Sequence, residues 1–489
     1  MSTVLTTPSG TADAEPGRTL ADEQPRTLGV ADHFALWANL GVSLLGPAYA
    51  FYVLEPGTHR LSLVAAFTAI VVGSVIGTIP VGFAALAGAR SGAPAMVLLR
   101  GLFGRRLSYL PTVLNLLQCM GWGVFEIVVI ADAADQLLPW KIHWLYVLLA
   151  GALTTTLTLR PLGFVRTLRR YALVAVAAST VYFLVQFLRA PLPSLTHGTW
   201  SGFWTAADGV MAVSISFVPL AADYTRHSRS GRGAFAGSVI GYSVTQIVYY
   251  ALGLLAFSTV VHGYSGDNGP VFAAFIALPL GWLPFAVLVL RELDESFANV
   301  YSTTVSIQNL RPLADRRVLA VLIGVLATAG ALVLHLGADY QNFLLLIGSI
   351  FVPLAAVFTV DYFVLRRREW DVSARAPARW PMLVPWLLGF VVYQLINPGD
   401  LGWWTRQWTN VATWLHFTAR SWMSASLLSF AVAALATVPF GLLDGAHRRR
   451  RADRSGGRGG AGGAAAGGGA GEHDHQPRAA AAGQPAHRP

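Results

Sequence analysis

LVLRELDESFANVYSTTVS, residues 288–306, sets Arg291, Glu292, Asp294 and Glu295 within five positions of a chain whose flanking segments are apolar. Wound as a helix at about 100° per residue, the stretch gathers Glu292, Glu295, Ser296, Asn299, Ser302, Thr303 and Ser306 into one stripe about 120° wide. Phe297, Val300 and Val305 fall elsewhere on the circumference. Arg291 lies three residues before Asp294 and four before Glu295, so it can pair with either along a helix face. One guanidinium cannot neutralise three carboxylates, and each uncompensated charge at mid-membrane costs ~2.5–3.5 kcal/mol. The rest must meet cations, take protons or sit at the membrane–water boundary, with a structural salt-bridge cluster as the plainer alternative. A polar interior within an oily scaffold is the expectation.

The scaffold is read from composition. Of 489 residues, 54% are hydrophobic and 12% charged, with mean hydropathy +0.51; soluble domains carry roughly 25% charge. Apolar blocks long enough to cross ~30 Å of hydrocarbon recur about twelve times, near 33–53, 61–87, 110–134, 143–161, 170–188, 207–222, 234–258, 281–305, 317–335, 341–365, 381–397 and 422–443. Short alternating strands of a membrane barrel are missing. The predicted class is an all-α polytopic protein of the lipid bilayer with about 12 transmembrane helices.

The net charge of +10 does not point to nucleic acid, because the arginines cluster between spans. Alternate loops hold Arg90 to Arg106, Arg160 to Arg170, Arg226 to Arg232, Arg311 to Arg317 and Arg366 to Arg379; the intervening loops hold only Arg60, Lys141, Arg189, Arg406 and Arg420. This is the positive-inside pattern and places both termini in the cytoplasm, in a multi-pass protein of the cell membrane. Residues 1–30 have no apolar core and so no cleavable signal peptide. Residues 445–489, basic and rich in Gly and Ala, are too poor in apolar bulk to fold. The single cysteine, Cys119, excludes an internal disulfide, and no metal-ligand spacing appears. No nucleophile–base pair supports an enzyme, so no catalytic residue is assigned.

Two spans are interrupted where transporters bind their cargo. The first, HFALWANLGVSLLGPAYAF, contains Asn39, Gly41, Ser43, Gly46 and Pro47; the sixth, DGVMAVSISFVPLAADYTR, contains Ser214, Ser216 and Pro219. They stand five spans apart in the order, as a five-plus-five inverted repeat requires. Pro80 and Pro353 also interrupt spans. In the third span Glu126 lies one turn beyond Trp122, so ring and carboxylate share a face. A flat ligand could stack on the indole while the carboxylate accepts its N–H groups; a lipid-boundary indole and a carboxylate bonded to a neighbouring helix is the alternative.

At these residues the chain resembles the nucleobase:cation symporter-1 family of cytosine and purine permeases and hydantoin, uracil and allantoin transporters. The segments that carry the likeness are GARSGAPAMVLLRGLFGRRLSYLP (88–111) with GW ten residues on, HFALW (33–37), PLAADYTRHSR (219–229), DESFANVYSTTVSIQNL (294–310) and DYFVLRRREW (361–370). The resemblance implies a leucine-transporter-like fold: a ten-helix core over 31–365, in repeats of about 31–190 and 205–365, with two more helices in 380–444. It implies secondary active transport of a nucleobase or related heterocycle. Trp122 matches the family's stacking tryptophan and Asn299 its substrate-binding asparagine, and Glu126 stands where the hydantoin transporter has a glutamine. Phe217 is the nearest match to a second stacking aromatic. Sodium would lie between first-helix carbonyls near Asn39–Val42 and the eighth helix, where Leu293 and Asp294 replace hydroxyl residues. Asp294, with Glu295 beside it, would hold either Na⁺ or a proton.

An ionised carboxylate only accepts hydrogen bonds, whereas an amide also donates. Glu126 therefore favours an amino-bearing nucleobase such as cytosine or a purine. Another nitrogenous compound, such as allantoin, hydantoin, a vitamin or an amino acid, is the alternative cargo.

Overall fold

Each of the twelve apolar blocks contains helix among the described residues of the computed structural model, which are 26–57, 59–159, 163–261, 269–310, 315–366 and 370–459. In chain order the helices are α1 (Val30–Leu40), α2 (Leu45–Leu54), α3 (Leu63–Ser91), α4 (Ala95–Phe103), α5 (Tyr109–Leu137), α6 (His143–Leu159), α7 (Gly163–Arg189), α8 (Phe203–Ile215) and α9 (Val218–Thr225). They continue with α10 (Gly231–Thr259), α11 (Gly269–Ile276), α12 (Trp282–Leu310), α13 (Arg316–Ala331), α14 (Ala338–Thr359), α15 (Leu383–Ile396), α16 (Gly402–Trp414) and α17 (Ala425–Gly459). The chain divides into two units, residues 1–442 and 443–489, and the broken spans belong to the first. Within the second, α17 stays helical through 445–459, which composition alone left unfolded. Arginine propagates helix readily and suits a helix C-terminus.

Both expected interruptions are real breaks. Helices α1 and α2 meet at 67° around Gly41–Leu44, and α8 gives way to α9 at Ser216–Phe217. Pro47 and Pro219 each sit in the first turn of the second half, where a missing N–H leaves nothing unpaired. Pro80 and Pro353 behave differently. Each lies inside a continuous helix, α3 and α14, so neither interrupts its span.

The two broken spans, α3 and α10 pack on one another as a bundle, while α5, α6, α12 and α13 form a second group. Small residues set how closely the bundle closes. A Cβ on Gly241 of α10 would stand 2.6 Å from the Phe34 carbonyl oxygen of α1, and one on Gly77 of α3 3.0 Å from the Met211 backbone of α8. Backbone cannot yield as a side chain can, so these faces require glycine. Exposed tryptophans Trp140, Trp144, Trp200, Trp282, Trp403, Trp414 and Trp422 lie in linkers or at helix ends that alternate along the chain with the arginine-rich loops; Trp380 lies on the arginine side. Such rings sit at a membrane–water interface. The helices α4, α11 and α16 are short additions in the linkers, below the length that a span requires.

Candidate functional site

The break in the first span is held by the residues on which the sequence reading began. Glu292 Oε1 accepts the Ser43 hydroxyl at 2.7 Å and Glu292 Oε2 accepts the Leu44 N–H at 3.0 Å. The carboxylate therefore sits on the N-terminal end of α2, where helix N–H groups lack partners. Arg291 reaches the other side of the gap. Its Nε donates to Asn39 Oδ1 at 3.0 Å and its Nη2 donates to the Asn39 backbone oxygen at the C-terminal end of α1. Beyond any pairing along α12, where the Asp294 side chain lies outside the described residues, the described hydrogen bonds of Arg291 run to a helix 252 positions away in the chain. Adjacent opposite charges on α12 thus clasp the two complementary ends of one broken helix.

One turn further along α12 the stripe opens on a cavity. Its walls include Trp122 and Glu126 of α5, Phe217 at the sixth-span break, Glu295 and Asn299 of α12, and Tyr340 of α14. Gly41 and Ser43 supply the edge at the first-span break. The volume is about 30 Å³, room for roughly two waters. The walls come from both helix groups, so a planar ring enters only when the groups part.

The chemistry of the cavity centres on Glu126. It is 1% exposed, and its Oε1 accepts Asn299 Nδ2 at 2.7 Å. Its Oε2 has no hydrogen-bond partner among the described residues. A buried acceptor left in that condition carries a desolvation cost of ~1–3 kcal/mol or more. Trp122, buried one turn away, is braced edge-on by Tyr340 at 6.0 Å and Phe343 at 5.4 Å. Phe217 packs on Tyr242 at 4.9 Å and Trp37 at 5.9 Å. Fixed aromatic rings beside an open acceptor suit a flat solute with N–H groups.

The sequence candidates are therefore distributed in two places. Trp122, Glu126, Phe217, Glu295 and Asn299 share the cavity. Asn39 and Val42 belong to the break beside it, where the Val42 N–H donates to the Asn39 carbonyl at 3.2 Å. Asp294 is on α12, with its side chain outside the described residues. Sequence reasoning missed Tyr242, Gln246, Tyr249 and Tyr250 on α10, and Tyr340. The one available signal was Gln246, an amide in an apolar span. It joins α10 to α8 by accepting the Ser214 hydroxyl at 2.6 Å and donating to the Val210 carbonyl at 3.0 Å.

Known proteins share both the sequence pattern and this architecture. Residues 21–379 match the model of a family described as permease for cytosine/purines, uracil, thiamine, allantoin. YxlA of Bacillus subtilis, named as a putative purine-cytosine permease, is 23% identical over 391 residues, 75% of this chain and 83% of its own. The purine-cytosine permease FCY21 of Saccharomyces cerevisiae is 22% identical over 379 residues, 70% and 71% of the two chains. Among solved structures, Mhp1, a nucleobase-cation-symport-1 family transporter in a closed conformation with bromovinylhydantoin bound, superposes with a TM-score of 0.68. That match is 19% identical and covers 88% of this chain and 96% of that one. The likeness shows the fold, the leucine-transporter-like arrangement that the family resemblance implies.

Proposed function

Since the chain belongs to the family of permeases for cytosine and purines, uracil, thiamine and allantoin, we propose that it imports an amino-bearing nucleobase, cytosine or an aminopurine, by alternating access. It is a transporter and not an enzyme. The observation that carries the choice of cargo is the unpartnered Oε2 of Glu126 inside an aromatic cavity. A carboxylate can only accept, so its open oxygen rewards a ligand that presents an N–H donor such as an exocyclic amine; uracil and hydantoin present no amine. The ring stacks on Trp122, with Phe217 on the sixth-span side. Asn299 holds the carboxylate in place.

Loading of the cation or proton and of the heterocycle favours one packing of the bundle against the second helix group, and rocking exposes the cavity to the other side. Each ligand then strengthens binding of the other by the same factor, typically ~1–3 kcal/mol. The arginine loops and the tryptophan ends favour a cell-membrane protein with both termini cytoplasmic. The repeats of the core are proposed at about 31–190 and 205–365. A carboxylate-bearing cargo such as an amino acid is disfavoured, because Glu292 already occupies the helix N-terminus that would receive its anion.

The test is uptake into proteoliposomes of radiolabelled cytosine, adenine, guanine, uracil, hydantoin and allantoin, with wild type and Glu126→Gln. Amino-bearing bases are expected to saturate and to compete with one another. Loss of a hydrogen bond to a charged group is worth ~1.5–3 kcal/mol, so Glu126→Gln should weaken their affinity by about tenfold or more. Equal affinity for uracil or hydantoin, or an unchanged Glu126→Gln protein, refutes the assignment.

A further inference from the structure

The sodium site expected at the first-span break does not fit the residues found there, and we infer that Arg291 is itself the cation of that site, so that the protein binds and moves its substrate without sodium. The claim about substrate movement rests on the transport reading under Proposed function; the claim about Arg291 stands on geometry alone.

A monovalent metal ion at the end of α1 would need backbone oxygens with lone pairs to spare. A carbonyl oxygen has two. At Asn39 one accepts the Val42 N–H at 3.2 Å and another interaction goes to Arg291 Nη2. The side-chain oxygen of the same residue accepts Arg291 Nε at 3.0 Å. The guanidinium thus grips Asn39 at two points, and at 6% exposure it is buried there. The negative end of the α1 dipole is met by a positive group, which is the electrostatic task a bound ion would perform.

Two neighbours of Arg291 on α12 offer a second cation no ligand. Leu293, one of the positions expected to offer a hydroxyl, offers hydrocarbon and is buried. Glu292, the nearest carboxylate in sequence, spends both oxygens on Ser43 and Leu44 across the gap. A sodium ion against the guanidinium would meet like charge in a buried setting, where repulsion is poorly screened. Arginine also presents several donors in a fixed plane, so one side chain can bridge the Asn39 side chain and main chain together. Tethered to α12, this cation cannot travel with the solute. Its place is structural, as a positioning residue that fixes the bend between α1 and α2.

The experiment is thermal unfolding of the purified, substrate-free protein in sodium chloride against choline chloride at equal ionic strength, followed by uptake in the same two salts. A ligand that binds the folded state raises stability by mass action, so a sodium site would show as a saturable sodium-specific shift. None is expected, and uptake should agree within about twofold, far below the coupling factors of ion-linked carriers. Arg291→Ala should unfold earlier and be restored by millimolar guanidinium or by sodium, neither of which stabilises the wild type. If Arg291→Ala does not fold, Arg291→Lys keeps a tethered cation and should remain indifferent to sodium. Sodium-specific stabilisation of the wild type or of Arg291→Lys, or an Arg291→Ala protein indifferent to both ions, overturns the inference. Failure of the nucleobase reading looks different: no heterocycle enters in either salt, while the unfolding data are unaffected.

Discussion

The two broken spans solve the same problem with different chemistry. Each break frees main-chain groups deep inside the protein, and such groups must find partners. At the first break the partners are ions: Glu292 accepts from Ser43 and Leu44, and Arg291 donates to Asn39. At the sixth break they are neutral. Gln118 Nε2 donates to the Ser216 carbonyl at 2.8 Å, and the Ser216 hydroxyl turns back on the Val213 carbonyl at 2.6 Å. The difference follows from shape. The first break bends by 67° and separates the two helix ends, leaving opposite partial charges facing a gap. The α8–α9 stretch instead runs on as one 23-residue span, so little of its dipole is interrupted. A sharp break demands charge; a shallow one is content with amides.

The comparison fails most visibly if Glu292 proves dispensable. Glu292→Ala strips two described hydrogen bonds from the start of α2 and leaves Arg291 beside it without that counter-charge. Removing one member of a buried hydrogen-bonded charged set costs ~2–5 kcal/mol, so about 3 kcal/mol is expected, with uptake lost. Thermal unfolding of the detergent-purified variant measures it. A midpoint equal to wild type would mean that the carboxylate is not what holds the bend.

At the sixth break the corresponding change is Gln118→Leu, which keeps the bulk and deletes the donor to both the Ser216 carbonyl and Asn115 Oδ1. A neutral hydrogen bond contributes ~0.5–1.5 kcal/mol net, so about 2 kcal/mol is expected for the pair, still below the Glu292→Ala effect. An equal or larger loss would show that the shallow break depends on its clasp as strongly as the sharp one does.

How much of this was legible beforehand depended on distance along the chain. The long apolar blocks follow from hydrocarbon thickness, so their helices could be read; among the described residues six, or seven with the bent pair, are long and apolar enough to cross a bilayer. Glu126 with Trp122, and Glu295 with Asn299, could be read because a helix puts residues three or four apart on one face. The aromatics of α10 were not legible. Tyr242, Tyr249 and Tyr250 in an apolar span look like any packed ring until the fold turns them toward the cavity. Short α4, α11 and α16 left too little periodicity to detect. The bonds of Arg291 across the gap were not legible. Local spacing offered Asp294 and Glu295 as partners, whereas its bonds to Asn39 depend on two helices far apart in sequence being brought side by side.

The smallest expected effect tests how the charge at the first break is shared. Ser43 both donates to Glu292 Oε1 at 2.7 Å and accepts the Leu45 N–H at 3.1 Å, so it helps both to hold the carboxylate and to begin α2. In Ser43→Ala, Glu292 keeps the Leu44 N–H, and the Leu45 N–H loses its acceptor at a cavity edge with space for water. Loss of a capping hydroxyl costs ~0.5–2 kcal/mol, and with the carboxylate still seated the lower end of that range applies. The variant should therefore unfold only slightly before the wild type, and far later than Glu292→Ala. The double variant should be no worse than Glu292→Ala by more than a few tenths of a kcal/mol, because residues in contact do not add. Full additivity would show that Ser43 and Glu292 stabilise the bend separately, and the picture of one charged clasp across the gap would have to be replaced by two independent caps.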